Sequence, residues 1–217
     1  MKKGMIFDLD GVIVDTAKYH YLAWKKMAAQ FGYDFTEEEN EAFKGVSRAR
    51  CMELLLEMAQ VQATEAQIDA WLSQKNQDYL AYIEQMDQQE ILPGVLATLS
   101  FFKSRQIPMA LGSASKNARP ILEKVGLLSY FDAVVDGNDV SAAKPDPEVF
   151  LVAARQLGVA ADHCVVFEDS TAGIEAAQRA SMGTVGIGHP ESLGRADVVF
   201  AQFTEMDETF LNGLLTA

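Results

Sequence analysis

Phe7-Asp8-Leu9-Asp10-Gly11-Val12 sets two carboxylates one residue apart, immediately after the apolar run Gly4-Met5-Ile6-Phe7. A short apolar run that ends in turn-forming residues reads as a buried strand, so Asp8 and Asp10 stand at its C-terminal end and Gly11 lets the backbone turn away. Strand ends of that kind are where open α/β sheets gather their polar groups. Two carboxylates so close repel one another unless a cation lies between them or one of them holds a proton. With an oxygen-seeking cation such as Mg2+, Asp8 can be both ligand and nucleophile, while Asp10, if its pKa is raised, can give and take a proton. Asp-x-Asp-Gly alone also makes a plain turn. The choice between the two readings rests on the rest of the chain.

From Thr16 to Met86 the pattern is helical only. Ala17, Tyr21, Trp24, Ala28 and Phe31 recur at helical spacing and stop at Gly32. Thr36-Glu37-Glu38-Glu39 and Thr64-Glu65-Ala66-Gln67 both match the capping box, and the second opens a long helix with Ile68, Trp71, Leu72, Tyr79, Leu80 and Ile83 on one face. Ser47 is placed to cap a helix through Met58. Four such helices make a small bundle. After Pro93-Gly94 short apolar runs alternate with helical segments, the pattern of a parallel sheet built from βαβ units. The expected strands are Pro108 to Gly112, Ala133 to Val135, Cys164 to Phe167, Thr184 to Ile187 and Val198 to Phe200, joined by Met5 to Phe7. The bundle is therefore an insertion that the chain enters near Asp15 and leaves near Glu90. A double crossing is a natural hinge, and a helical module on a hinge can act as a lid.

Composition narrows the function. The 217 residues are 49% hydrophobic, enough for a sizeable core, and carry a net charge of -13 with no basic run, which argues against a nucleic-acid or anionic-membrane partner. A pocket with local positive charge remains open. Cys51 and Cys164 lack any CxxC or Cys/His spacing, so neither a disulfide framework nor a zinc site is expected and a reducing cytoplasm fits. Met1-Lys2-Lys3 leads straight into the first strand, without a signal segment, and no apolar run approaches membrane-spanning length. Neither G-x-x-x-x-G-K-[ST] nor G-x-G-x-x-G occurs, so no nucleotide motif is present, and His163 and His189 are assigned no role.

Three further strand ends carry polar groups. Gly112-Ser113-Ala114-Ser115-Lys116-Asn117 offers a hydroxyl and several donors before a helix, a setting that binds anions or merely caps. Lys144 in Ala143-Lys144-Pro145-Asp146-Pro147 would face solvent by default, but an ammonium near Asp8 would offset the charge of a phosphoryl group. Glu168-Asp169-Ser170 can act as helix-dipole partners or, with Asp8 and Asp10, as hard oxygen ligands for Mg2+. In the insertion, Lys75 interrupts the face shared by Trp71 and Tyr79, and His20 lines up with Trp24; charged groups in such stripes either snorkel or demand a partner. Arg48, beside Gly45-Val46, is either a surface helix residue or a fork suited to phosphate.

Asp8-x-Asp10, Ser113, Lys144 and Glu168-Asp169, in that order, resemble the four motifs of the haloacid dehalogenase superfamily of phosphoryl-transfer enzymes, and an insertion directly after the first motif is similar to its C1-type helical cap. Asp15-Thr16-Ala17-Lys18-Tyr19-His20 with Trp24, Lys44-Gly45-Val46-Ser47-Arg48, Lys75-Asn76 and Ser113-Ala114-Ser115-Lys116-Asn117 look like segments of its β-phosphoglucomutase family. The resemblance covers the whole chain. It implies an α/β fold with a Rossmann-like parallel sheet core, helices on both faces, and an inserted four-helix cap domain: residues 1–15 and 88–217 as core, 16–87 as cap. Departures are Gly112 where alanine is commoner, Asp146 between two prolines, and Phe167 before Glu168.

The activity so implied is interconversion of β-D-glucose 1-phosphate and glucose 6-phosphate through β-glucose 1,6-bisphosphate, with that sugar phosphate as the partner and a cytoplasmic monomer as the expected form. Asp8 would accept the phosphoryl group and Asp10 would move the proton. Mg2+ would be held by Asp8, the backbone carbonyl of Asp10 and Asp169, with Glu168 in support directly or through water. Ser113 and Lys144 would bind the transferring phosphoryl oxygens, and Arg48, Lys116 and Asn117 the phosphate at the sugar's other end. Thr16 and His20 would link cap closure to Asp10, while Trp24, Lys44, Gly45, Val46, Ser47, Lys75, Ala114 and Ser115 complete the substrate set. Cap closure must also slow attack by water. The rivals are a Mg-dependent sugar-phosphate phosphatase, a related disaccharide or hexose phosphomutase, and a catalytically silent phosphate-binding module.

Overall fold

Every apolar run singled out above is a strand of one sheet in the computed structural model, which describes residues 2–216. The strands are β1 (Gly4–Phe7), β2 (Met109–Gly112), β3 (Ala133–Val135), β4 (Cys164–Glu168), β5 (Gly183–Ile187) and β6 (Val198–Phe200). They lie in the order β3-β2-β1-β4-β5-β6 with every pair parallel. Both faces are covered, which is why the strands read as unbroken apolar runs. Met5 and Phe7 point into a cluster with Leu111, Phe167 and Val185, and Ile6 points the other way toward Ala110 and Val166.

Between β1 and β2 the chain forms α1 (Ala17–Gln30), α2 (Glu37–Glu41), α3 (Arg48–Ala59) and α4 (Glu65–Ile83). Thr36 and Thr64 each form the expected capping box, and Ser47 accepts from Arg50 N. These helices enclose their own apolar cluster, with Trp24, Met27, Phe35, Met52 and Leu55 at its centre. The outgoing and returning chain are laced together: Asp15 N donates to Glu90 O at 2.9 Å and Leu92 N to Ile13 O at 3.1 Å. Lys18 and Tyr19, in the first turn of α1, each reach the Glu90 carboxylate at 2.6 Å.

The remaining helices α5 (Val95–Ser104), α6 (Ala118–Lys124), α7 (Glu148–Leu157), α8 (Thr171–Arg179), α9 (Pro190–Leu193) and α10 (Glu208–Thr216) flank the sheet or link its strands. Strand register brings the polar tips together. Phe7 sits opposite both Leu111 and Phe167, so Asp8 emerges between the ends of β2 and β4, at the point where strand order reverses. Among the described residues no helix is long and apolar enough to cross a membrane.

Candidate active site

Asp8 leaves the end of β1 with its backbone N–H donated to Phe167 O at 2.9 Å, and the residue is 4% exposed. Lys144, from the loop before α7, is equally buried and donates to Asp8 Oδ1 at 2.6 Å and Glu168 Oε2 at 2.8 Å. The other Glu168 oxygen is taken by the Ser170 hydroxyl at 2.5 Å. Burial works against charge on Lys144, yet the two carboxylates outweigh it and hold its pKa above the ordinary lysine value. Burial pushes Asp8 up to about 8, with Lys144 pulling the other way and Glu168 and Asp10 adding to the rise. Asp169 is raised well above the usual carboxylate range by burial, then by Glu168 and Asp8, with no hydrogen bond among the described residues to relieve it.

Oxygens of Asp8, Glu168 and Asp169 lie within 4.8 Å of one another. Three crowded carboxylates facing one ammonium leave excess negative charge and unused hard oxygen atoms, a donor set that fits Mg2+. The Asp10 carboxylate stands outside this cluster, so only its backbone carbonyl remains as a candidate ligand. Both Glu168 oxygens already have partners, which suits an indirect role for that residue.

Asp10 faces the helical insertion instead. The Thr16 hydroxyl donates to Asp10 Oδ1, and His20 Nε2 stands 3.7 Å from the same oxygen. Burial works to raise the pKa of Asp10, but the His20 and Thr16 contacts outweigh it and leave it lowered. On its other edge, His20 Nδ1 lies 3.1 Å from Lys75 Nζ, and its ring rests on Tyr79 with centroids 4.2 Å apart. Lys75 is 2% exposed, 4.6 Å above Trp24 and 4.9 Å above Tyr79; burial pushes its pKa down to about 7. Burial and the Lys75 charge lower that of His20. A neutral His20 accepting from Lys75 at Nδ1 keeps its Nε2 proton directed at Asp10.

Between sheet and helices lies a cavity of about 790 Å3 lined by Asp8, Asp10, His20, Trp24, Lys44, Gly45, Val46, Ser47, Arg48, Lys75, Ser113, Ala114, Ser115, Lys116, Asn117, Lys144 and Asp169. Thr16 and Glu168 stand behind it, fully buried against Asp10 and Lys144. Arg48 is half-buried without a carboxylate partner among the described residues, and burial alone lowers its pKa. The Asn117 side chain donates to Asn76 Oδ1 across the cavity at 3.0 Å. Gly45, at φ +70°, approaches so near the other side that a Cβ there would lie 2.3 Å from Ser170 Oγ.

A family model described as haloacid dehalogenase-like hydrolase matches residues 2–181. The chain belongs to this family. It is 39% identical over 206 residues to a β-phosphoglucomutase of Bacillus subtilis, spanning 94% of this chain and 91% of that protein. A crystal structure of β-phosphoglucomutase from Clostridium difficile superposes with a TM-score of 0.94 at 36% identity, covering 100% of this chain and 98% of that one. A fructose-1-phosphate phosphatase of Escherichia coli is 34% identical over 184 residues, 85% of this chain and 95% of its own length.

The departures from the haloacid dehalogenase pattern have local causes. A Cβ at Gly112 would meet the Phe150 ring at 3.0 Å, and that ring lies beneath Lys144 Nζ at 4.7 Å. Phe167 stacks on its register neighbour Phe7 at 4.6 Å and 8°. Asp146 accepts from Glu148 N at 2.9 Å, serving the start of α7. Sequence reasoning assigned no site role to Tyr79, Ser170 or Asn40. Tyr79 and Asn40 line the cavity fully or nearly fully buried, each with an oxygen lacking a hydrogen-bond partner among the described residues. Tyr79 falls one helical turn after Lys75, which places the two on one face but does not disclose the stacking on His20.

Proposed function

We propose that this chain is a Mg2+-dependent β-phosphoglucomutase that interconverts β-D-glucose 1-phosphate and glucose 6-phosphate through β-glucose 1,6-bisphosphate and a phosphorylated Asp8. The observation that carries the reading is the origin of Asp10's partners: Thr16 and His20 both belong to the helical insertion. A proton-transfer group oriented by the insertion is competent only while the insertion covers the core. That is the condition under which sugar, rather than water, receives the phosphoryl group.

In this reading residues 16–87 are a cap on the core formed by residues 1–15 and 88–217. Asp8 attacks phosphorus, and an Asp8 oxygen–phosphorus bond forms as the sugar oxygen–phosphorus bond breaks. Asp10, ionised at rest because against burial His20 and Thr16 hold its pKa down, delivers to the departing oxygen the proton that it took from a sugar hydroxyl in the other half-reaction. In the return step Asp10 takes the proton of the other sugar hydroxyl as that oxygen attacks the phosphorylated Asp8. Lys144 and Ser113 hold the moving phosphoryl oxygens; Arg48, Lys116 and Asn117 hold the second phosphate, and Trp24, Lys44 to Ser47, Lys75, Ala114 and Ser115 complete the cradle. Asp8, Asp169 and the Asp10 carbonyl would hold Mg2+, which supplies neutralisation of phosphoryl and carboxylate charge. The bisphosphate can turn around because the one cavity is lined by Arg48, Lys75 and Lys116 as well as by Lys144. The reading is of a monomeric cytoplasmic enzyme, in keeping with two unpaired, buried cysteines.

The test is to supply purified protein with Mg2+, a trace of bisphosphate, and either anomer of glucose 1-phosphate. Glucose 6-phosphate from the β anomer alone is expected. Free phosphate as the main product rejects the mutase in favour of a sugar-phosphate phosphatase, a reading that the similarity to the Escherichia coli phosphatase keeps in play.

A further inference from the structure

A second cavity of about 360 Å3 reaches Asp169 from the other side. It lies between the insertion, represented by Glu41 and Lys44, and the core loops that carry His189, Ser192 and Gln202. Ala17, Lys44 and Asp169 line both cavities and form the partition between them. Gly11 lines only the second one, and its missing side chain matters there: a Cβ would lie 2.1 Å from Asp169 Oδ2. Glycine at this position, at φ +76°, therefore leaves room for the Asp169 carboxylate at the edge of the second cavity, which that residue lines.

The two cavities differ in charge. The large one sets five cations, Lys44, Arg48, Lys75, Lys116 and Lys144, against Asp8, Asp10, Asp69 and Asp169, a balance more favourable to an anionic ligand than that of the small one. The small one carries Asp15, Glu41 and Asp169, and the only lysine among its lining residues, Lys44, is paired with Glu41 at 2.9 Å. Glu41, His189, Ser192 and Gln202 are exposed, so solvent reaches its mouth. Clefts lined by one sign of charge concentrate ions of the other.

We propose that the second cavity is a separate cation entrance, through which a divalent ion reaches and leaves Asp169 between Glu41 and His189 while a phosphorylated ligand fills the main cavity. The inference rests on the reading of Asp8 and Asp169 as cation ligands. It adds that anion and cation arrive by different doors, so a sugar phosphate locked under the insertion does not lock the metal in.

The experiment follows Mn2+ as the probe, in the full-length protein without turnover, by stopped-flow mixing with a fluorescent chelator. Association and release are measured with and without saturating glucose 6-phosphate. In the unaltered protein the exchange rates stay within one order of magnitude when the sugar phosphate is added. Ser192→Trp and Gln202→Trp, at exposed positions whose side chains make no hydrogen bond among the described residues, leave Mn2+ affinity and glucose 6-phosphate affinity unchanged but slow both Mn2+ rates about tenfold by obstructing access. Glu41→Lys, an independent charge test, slows association by about tenfold. Mn2+ exchange that stops once glucose 6-phosphate is bound, or that runs at the unaltered rate in all three variants, overturns the proposal. Failure of the unaltered protein to bind Mn2+ removes the ligand set and the entrance together. Absence of mutase turnover beside the expected exchange kinetics rejects the mutase reading alone.

Discussion

Replacing Lys75 by methionine tests the electrostatics of the insertion while leaving Asp8 and Asp10 in place. Lys75 Nζ is buried between His20, Trp24 and Tyr79, and burial pushes its pKa from 10.5 down to about 7. The unfolded chain keeps this proton up to its ordinary value, whereas the folded chain releases it near 7. Between those two values the unfolded state binds more protons, so this residue makes stability rise with pH. At about 1.4 kcal/mol per pKa unit, the whole window is worth about 5 kcal/mol, and the part between about pH 7 and pH 9 about 2 to 3 kcal/mol. Urea unfolding of the two proteins, without phosphate, measures it. Alongside burial, the Lys75 charge lowers the pKa of His20, which titrates below this window, so the difference in unfolding free energy is read between about pH 7 and pH 9, where Lys75 dominates it. The methionine variant should gain most near pH 6.5 and lose about 2 to 3 kcal/mol of that advantage by about pH 9. Parallel pH profiles would refute the reasoning, because they would mean that Lys75 keeps its proton in the fold. A bound phosphate should restore the charge, so ligand binding near pH 8 takes up protons, read by calorimetry in buffers of different ionisation enthalpy.

Three other outcomes are expected. Asp8→Asn abolishes turnover and Asp10→Ala lowers kcat by about 10²- to 10⁴-fold, while calorimetric binding of glucose 6-phosphate survives in both; near-normal kcat in either removes that residue from the reaction. Lys144→Met, which leaves Asp8 and Glu168 buried without their shared ammonium, destabilises the metal-free protein by about 3 to 5 kcal/mol in thermal unfolding. Mg2+ recovers part of that loss, and a variant indifferent to Mg2+ contradicts the ligand set. Gly45→Val, strained at φ +70° and crowded against Ser170, loosens the seat of the insertion and shifts product from glucose 6-phosphate toward free phosphate; an unchanged product ratio denies that this contact excludes water.

The parts of the molecule legible in the sequence are those whose cause is local. Parallel strands covered on both faces must be apolar throughout, so Met5-Ile6-Phe7 and Cys164-Val165-Val166-Phe167 announce themselves; Thr36 and Thr64 carry complete capping boxes that the structure forms. The strand after Val165 runs one residue further than expected because Glu168 is itself buried in the ladder opposite Gly186. What stayed hidden depends on partners far apart in the chain. Tyr79 sits on an apolar helical face, and nothing local tells that its ring supports His20. Nor does Ser170, written as a helix cap, disclose that its hydroxyl occupies the Glu168 oxygen that Lys144 leaves free. The motif resemblance named the polar groups correctly as neighbours; only coordinates distribute their hydrogen bonds.

The lacing at the double crossing bears on how such a molecule could be rebuilt. Asp15 and Glu90 are joined by a backbone hydrogen bond of 2.9 Å, so the chain meets itself where the helices begin and end. Excision of the intervening segment would need a tight turn at this gap and would also strip Ala23, Tyr79, Ile83 and Met86 from the apolar cluster they share with Met5 and Phe7, so a grafted helical module would have to replace them. The Asp8 carboxylate and its lysine would travel with the sheet, whereas Thr16 and His20, the partners of Asp10, would leave with the excised piece. The two groups of contacts thus lie on separate stretches of one polypeptide, joined through that shared cluster and the close approach of Gly45 to Ser170, so an exchanged module would have to match both.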